Sequence, residues 1–223
     1  MTELGFRIEP NAPLIDPELI AAFESVVTPH ISDSINRLAG GYNLRPVNMR
    51  GKLVGTALTV RARAGDNLMM HKAIEMAEAG HVIVVDGGGD LSRALTGELM
   101  ARSSIRKGIR GFVLDGAVRD VGFFRDGDFP CYARGVTHRG PFKEGPGEIN
   151  VPVSIDGMVV SPGDLIVGDE DGIVAIPACE AQAVLELSRA KAAAEAAIIK
   201  AIESGSMKRG WIDETIARKK AVA

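Results

Sequence analysis

An α/β fold is predicted by two stretches of this chain: a strand–helix–strand unit between Val82 and Leu114, and a turn-punctuated, strand-rich run from Pro130 to Pro177. The apolar runs Val82–Val85 and Gly111–Leu114 are bounded by glycines and rich in β-branched or aromatic residues, as buried strands are. Asp86-Gly-Gly-Gly89 reads as a tight turn; it lacks the spacing of a dinucleotide loop and the lysine of a phosphate loop. The stretch that follows has helical composition and closes on Gly108 as a C′ glycine. Strand, helix and strand of this length make a right-handed crossover between parallel strands, which end on one sheet edge. Open α/β sheets bind ligands at that edge, and here it gathers Asp86, Asp115-Gly116 and Arg119-Asp120.

The remaining elements follow in order. Residues 1–13 read as a loose arm. Asp16-Pro17 caps a first helix with Leu19, Ile20, Phe23 and Val26 on one face. Pro29 opens a second, with Ile31, Ile35 and Leu38 in helical repeat and Gly40-Gly41 as its stop, so the N-terminal helices span about 16–40. Leu53–Arg63 alternates as a strand and Asn67–Ala79 as a helix ending at Gly80. Within Pro130–Pro177, Asp156-Gly157 is a two-residue hairpin turn and Gly168-Asp-Glu-Asp-Gly172 another turn, which predicts an antiparallel half. An alanine-rich helix from about Cys179 to Glu203, stopped by Gly205, and a short helix in Trp211–Ala223 form a C-terminal extension over about 179–223. A helix this long on a small domain either packs on its own core or reaches a neighbouring chain. The whole of 1–223 reads as one domain.

Composition sets the bounds. The net charge of −3 gives no basic footprint for nucleic acid, and 4% aromatic residues offer few stacking platforms. No 18-residue apolar span or secretory h-region appears, so a cytoplasmic chain that binds no membrane is expected. Cys131 and Cys179 share no motif and read as reduced thiols.

Chemistry concentrates in two places. Arg119-Asp120 reads either as a solvated ion pair or helix cap, or as a functional pair in which Arg119 suits a substrate carboxylate, because its planar fork grips one bidentately, and Asp120 is a hard oxygen ligand for Mg²⁺ or Mn²⁺. Thr96-Gly97-Glu98-Leu99-Met100 has two readings. A helix starting here leaves the amides of Glu98, Leu99 and Met100 free to face an anion. A helix starting near Leu91 makes Gly97 only a weak spot inside it. His30, His71, His81 and His138 form no zinc pattern, and His71 reads as a core or surface residue. Lys52, Lys72, Lys107 and Lys143 lie in polar or glycine-flanked contexts, which argues against a desolvated Schiff-base lysine.

Together VVDGGG, then GEL, then DGAVRD with twenty residues between Glu98 and Arg119, and the later VSPGDLIVGDEDGIVAIP, resemble the RraA-like family from about Asp16 to the C-terminal helix. The resemblance implies an α/β/β/α sandwich related to phosphohistidine swivelling domains, with a central parallel βαβ crossover and an antiparallel half, assembled as a homotrimer or pair of trimers. It implies two functional classes. One is divalent-metal-dependent aldolases that cleave 4-hydroxy-4-methyl-2-oxoglutarate or 4-carboxy-4-hydroxy-2-oxoadipate to release pyruvate and also decarboxylate oxaloacetate. The other is a non-catalytic regulator of ribonuclease activity. By the same resemblance Arg119 and Glu98 are catalytic, and Gly97, Glu98, Leu99, Met100 and Arg119 bind the pyruvyl group. Asp120 and an acidic residue of a neighbouring C-terminal helix, matched here to Glu195, serve the metal. Glu98 stands where some relatives have Asp, and its longer arm is expected to orient a metal-associated water as base for the aldol cleavage.

Overall fold

The structure, a computed structural model, describes residues 4–37, 40–48 and 50–221. Asp16 accepts the Glu18 N–H and Pro17 takes the first position of α1 (Pro17–Phe23). Helix α2 (Thr28–Ser34) is shorter than expected, because Asn36 and Arg37 both turn to φ 60° and end it; Leu38, the last residue of its expected repeat, lies outside the described residues. The strands are β1 (Arg45–Pro46), β2 (Leu53–Ala62), β3 (His81–Thr96), β4 (Gly111–Val118), β5 (Cys131–Val136), β6 (Gly147–Ile149), β7 (Val153–Ile155), β8 (Met158–Val160), β9 (Leu165–Asp169) and β10 (Gly172–Ile176). The later helices are α3 (Leu68–Met76), α4 (Glu98–Arg106), α5 (Val121–Asp126), α6 (Ala181–Glu203) and α7 (Trp211–Lys220).

One large sheet runs β1-β5-β4-β3-β2-β9-β10, with β6 on the C-terminal end of β2. Strands β2 to β5 are mutually parallel, as the crossover predicts. The later strands β9 and β10 form the expected antiparallel hairpin, and β7–β8 turns at Asp156-Gly157, both at positive φ.

Strand alternation builds two faces. Leu58, Val60, Ile83, Val85, Phe112 and Leu114 point to α3, α4 and α5, while Val54, Leu165, Val167, Val174 and Ile176 meet α1, α2 and α6. Between them, Leu53, Ala57, Val82, Val84, Val113, Tyr132, Ile166 and Ile173 share the opposite face with the β7–β8 hairpin. The sheet curls so that this face closes on itself: Tyr132 of β5 donates its hydroxyl to the Asp169 carbonyl of β9 at 2.9 Å. A Cβ on Gly168 would lie 2.8 Å from the Tyr132 ring, so the glycine permits that approach. Tyr132→Phe is expected to cost about 1 kcal/mol, the net worth of one buried hydrogen bond plus its orphaned carbonyl, read as a shift in the urea midpoint at constant slope.

Two expectations are corrected. The N-terminal arm is not loose over its described part: Gly5, Arg7 and Glu9 bond the backbone of Gly147 and Ile149, and Arg7 sits 3.3 Å from the buried Glu148 carboxylate. The glycine run is not a turn into a helix. Gly88 and Gly89, at φ +66° and +71°, let the chain bulge out and rejoin β4 with Asp90 opposite Gly116 and Thr96 opposite Val118. Ten residues of β3 (86 to 96) advance against three of β4 (115 to 118), so the strand lasts until Thr96 and the helix begins only after Gly97.

The C-terminal helices match the reading closely. Beyond Ser188 no residue of α6 is buried, and Ile198, Ile199 and Ile202, like Trp211 of α7, keep their apolar surface in solvent.

Candidate active site

At the carboxyl edge of β3 and β4 three pieces of backbone converge. The Arg119 N–H donates to the Thr96 carbonyl at 3.1 Å, which joins the ends of the two strands. Asp120 follows in the left-handed region (φ 55°, ψ 40°), a conformation that Asp tolerates better than most residues. That turn aims its carboxylate at α4: Oδ2 accepts the Glu98 N–H at 2.9 Å and lies 3.7 Å from Arg119 Nε. Gly97 makes the convergence possible. A Cβ there would fall 2.3 Å from Asp120 Oδ2 and 2.9 Å from Arg119 Cγ, overlapping both.

The helix therefore starts at Glu98, the first of the two readings. The Glu98 amide is not free, because Asp120 takes it; the Leu99 and Met100 amides have no intrahelical acceptor. They flank a cleft of about 100 Å³ whose walls also include Gly97, Thr96 and Arg119. Its far wall comes from Asn67 and His71 at the start of α3 and from Pro141 and Lys143 in the loop before β6.

Two polar atoms of this cleft stand out. Asn67 Oδ1 and Thr96 Oγ1 have no hydrogen-bond partner, and each residue is only 2% exposed. The Asn67 amide cannot simply flip, since its Nδ2 donates to the Leu95 carbonyl at 2.9 Å and faces Met100 Sδ at 3.4 Å. A buried polar atom left unpaired costs roughly 1–3 kcal/mol, so both atoms favour a hydrogen-bonding occupant. Burial, and then the neighbouring Lys143 cation, push the His71 pKa below its ordinary 6.5.

The other predicted residues sit around this centre. Glu98 opens α4 beside the cleft-lining Gly97 and Leu99 but does not itself line the cleft; its Oε1 bonds Arg102 Nε at 2.7 Å. Glu195 lies on α6, 2.7 Å from His30 Nε2 of α2 and 3.9 Å from Lys191; within one chain it joins that cluster, not Arg119 and Asp120. Among the described residues no three His, Cys, Asp or Glu side chains converge to cage a metal. The donor chemistry at Asp120 still fits a hard cation: one oxygen is committed to the Glu98 amide and the other is free. Mg²⁺ commonly binds through one or two carboxylates while keeping several waters.

Asn67, His71 and Lys143 were missed by sequence reasoning. Asn67 precedes the first residue of a helix, a position that signals a cap, but nothing local brings it near residue 143. The lysines needed one revision too: Lys52 is half-buried, its pKa lowered by burial, and its ammonium is tied to the Val26 carbonyl. It lines a hollow of about 870 Å³ at the opposite edge of the sheet among Leu14, Ile20, Ile109 and Phe129. That hollow is mostly apolar, and its Arg110 lies 3.8 Å from Glu24; size alone does not make it the reactive site. No helix among the described residues is long and apolar enough to cross a membrane.

Comparison with known proteins agrees with this layout. The model of the RraA-like (aldolase/RraA) family matches residues 28–175, which include the whole site apart from Glu195. A Halalkalibacterium halodurans protein provisionally named 4-hydroxy-4-methyl-2-oxoglutarate aldolase is 38% identical over 89% of this chain and 96% of its own length. A Thermus thermophilus 4-hydroxy-4-methyl-2-oxoglutarate aldolase is 39% identical over 57% of this chain and 77% of its own. Among solved structures, an uncharacterised Pseudomonas syringae protein superposes with a TM-score of 0.79 at 28% identity, covering 88% of this chain and 97% of that one. The RNA-processing inhibitor RraA of Thermus thermophilus superposes with a TM-score of 0.63 at 35% identity, covering 69% and 93%. The matched span holds Gly97, Glu98, Arg119 and Asp120 together, and the chain belongs to the RraA-like family.

Proposed function

We propose that this chain is a divalent-metal-dependent pyruvate aldolase acting on 4-hydroxy-4-methyl-2-oxoglutarate-type acids, with oxaloacetate decarboxylation as a side activity. The observation that carries the reading is the convergence of the Arg119 guanidinium and the free Leu99 and Met100 amides on a cleft holding two buried, unpaired polar atoms. Both reactions pass through the enolate of pyruvate. In the aldol cleavage the C4 hydroxyl loses its proton and the C3–C4 bond breaks. Its electron pair then enters the enolate, which takes a proton at C3 to give pyruvate. Decarboxylation breaks the bond between C3 and the departing carboxylate, releases CO₂, leaves its electron pair in the same enolate and needs no base.

Arg119 grips the pyruvyl carboxylate as a fork and adds positive charge where the enolate forms. The Leu99 and Met100 amides, at the positive end of α4, fix the other carboxylate oxygen. Lys143 and His71 face the distal end, where a second carboxylate of the substrate would sit. Glu98 serves the proton on the C4 hydroxyl. A cation held at Asp120, with Glu195 of a second copy of the chain, would supply Lewis-acid polarisation of the keto group. The exposed isoleucines of α6 support a homo-oligomer, trimer or hexamer, in which that helix reaches a neighbour. Lys143 is solvent-exposed, which speaks against a Schiff base there.

The test is pyruvate release from 4-hydroxy-4-methyl-2-oxoglutarate with Mg²⁺, coupled to lactate dehydrogenase. Turnover abolished by chelator and untouched by borohydride supports the proposal; no turnover, or borohydride inactivation, refutes it. The likeness to the RNA-processing inhibitor RraA of Thermus thermophilus favours a second reading, a regulator that binds a ribonuclease, and inhibition of ribonuclease activity without pyruvate release would select it. Asp120→Asn separates charge from architecture. Its amide oxygen can still accept the Glu98 N–H and Asn tolerates the left-handed turn, so stability should change by under about 0.5 kcal/mol. Mg²⁺ should nevertheless bind at least about tenfold more weakly, a loss of ~1.4 kcal/mol, and an unchanged Mg²⁺ titration would remove Asp120 from the metal.

A further inference from the structure

The two walls of the cleft's far end are joined by a seam centred on one buried carboxylate that lies outside the cleft. Asp66 is 2% exposed and its side chain accepts three backbone N–H groups. Oδ1 takes Leu68, the first residue of α3, at 2.9 Å. Oδ2 takes Glu144 at 2.7 Å and Gly145 at 2.9 Å, directly after Lys143. Backbone bonds extend the seam on either side: Phe142 N–H to the Gly65 carbonyl at 2.8 Å, and Asn67 N–H to the Phe142 carbonyl at 3.0 Å. From outside, the Arg93 guanidinium lies 3.9 Å over the Phe142 ring and also donates to the Gly140 carbonyl at 2.7 Å.

We infer that Asp66 is a positioning residue for substrate length: it fixes the separation between the Asn67–His71 wall and the Lys143 wall, and so sets where a distal carboxylate must lie. The inference rests on the reading of the cleft as a 2-oxo acid site. The physical reason is a matter of donors and acceptors. Three N–H groups converge on an acceptor with no proton to offer, and ionised acceptors make the stronger hydrogen bonds. An asparagine would turn an NH₂ group toward at least one of those donors, leaving it unpaired and freeing one wall to move. The pyruvyl end, built on Gly97, Leu99, Met100 and Arg119, shares none of these bonds.

The experiment compares two probes by calorimetry with Mg²⁺ present: pyruvate, which fills only the Arg119 end, and 2-oxoglutarate, whose second carboxylate reaches the far end. Asp66→Asn should leave the pyruvate Kd within about twofold and weaken 2-oxoglutarate about tenfold or more. In a Lys143→Ala background the same substitution should add no further loss for 2-oxoglutarate, because the anchor it positions is gone. If Asp66→Asn does not fold, Phe142→Ala loosens the same loop from its solvent side and should give the same split. Equal losses for both probes, no loss for either, or additive losses with Lys143→Ala would overturn the positioning role while leaving the cleft's reading intact. A wild-type chain that binds neither probe would overturn both.

Discussion

Arg119→Ala should lower kcat/KM for pyruvate release by about 10³-fold, with most of the loss in kcat. A single preorganised group opposite developing charge is worth roughly 3–4 kcal/mol, and Arg119 also orients the carboxylate it grips. Arg119→Lys keeps the charge but not the planar fork, and should recover only about tenfold of that loss. The guanidinium is half in solvent and loosely held, 3.7 Å from Asp120, so its removal should barely move the melting temperature. A variant that loses activity and stability in parallel would make Arg119 a structural residue instead.

Gly97→Ala is the second large effect, and it arises from packing alone. The added methyl would lie 2.3 Å from a carboxylate oxygen and 2.9 Å from the Arg119 stem, distances that real Cβ atoms do not reach. Asp120 must withdraw, the Glu98 N–H loses its acceptor, and Arg119 shifts with it. The cost combines overpacking and a lost helix cap, about 2–4 kcal/mol together, which for a chain of this size lowers the melting temperature by several degrees. Pyruvate release should fall at least about 10²-fold, since misplacing the catalytic group by an ångström is enough for that. The backbone at Gly97 is extended, with φ −165°, so the conformation itself suits alanine. Retained activity in Gly97→Ala would mean that the three motif segments do not need this close approach.

Local signals carried the parts of the fold that are locally determined. The Asp16-Pro17 cap, the alternation of β2, the Asp156-Gly157 hairpin and the Gly108 stop each depend on residues within a few positions of one another, and each is present. The error at Asp86–Thr96 has a different origin. Gly87–Gly89 read as a turn, and Leu91–Leu95 has helical composition. Hydrogen bonding to β4 instead keeps the segment extended through a long bulge, a tertiary pairing that no local propensity reports. The same holds for the site. Glu98, Arg119 and Asp120 were legible as a motif, and their convergence beside Gly97 agrees with it. The far wall was not legible, because Asn67 and Lys143 stand 76 residues apart (67 to 143) and are brought together by the Asp66 carboxylate and by backbone bonds from Gly65 and Asn67 to Phe142. Glu195 is a third kind of case: its place on α6 beside His30 is a property of one chain, whereas the role assigned to it belongs to an assembly.

The most direct test is a crystal structure of this chain with Mg²⁺ and oxalate, a planar dianion shaped like the pyruvate enolate. One oxalate carboxylate should lie against the Arg119 guanidinium and within hydrogen-bond reach of the Leu99 and Met100 amides, with the cation at Asp120. Oxalate bound elsewhere, or an Arg119 turned away from the bound dianion, would contradict the proposed chemistry.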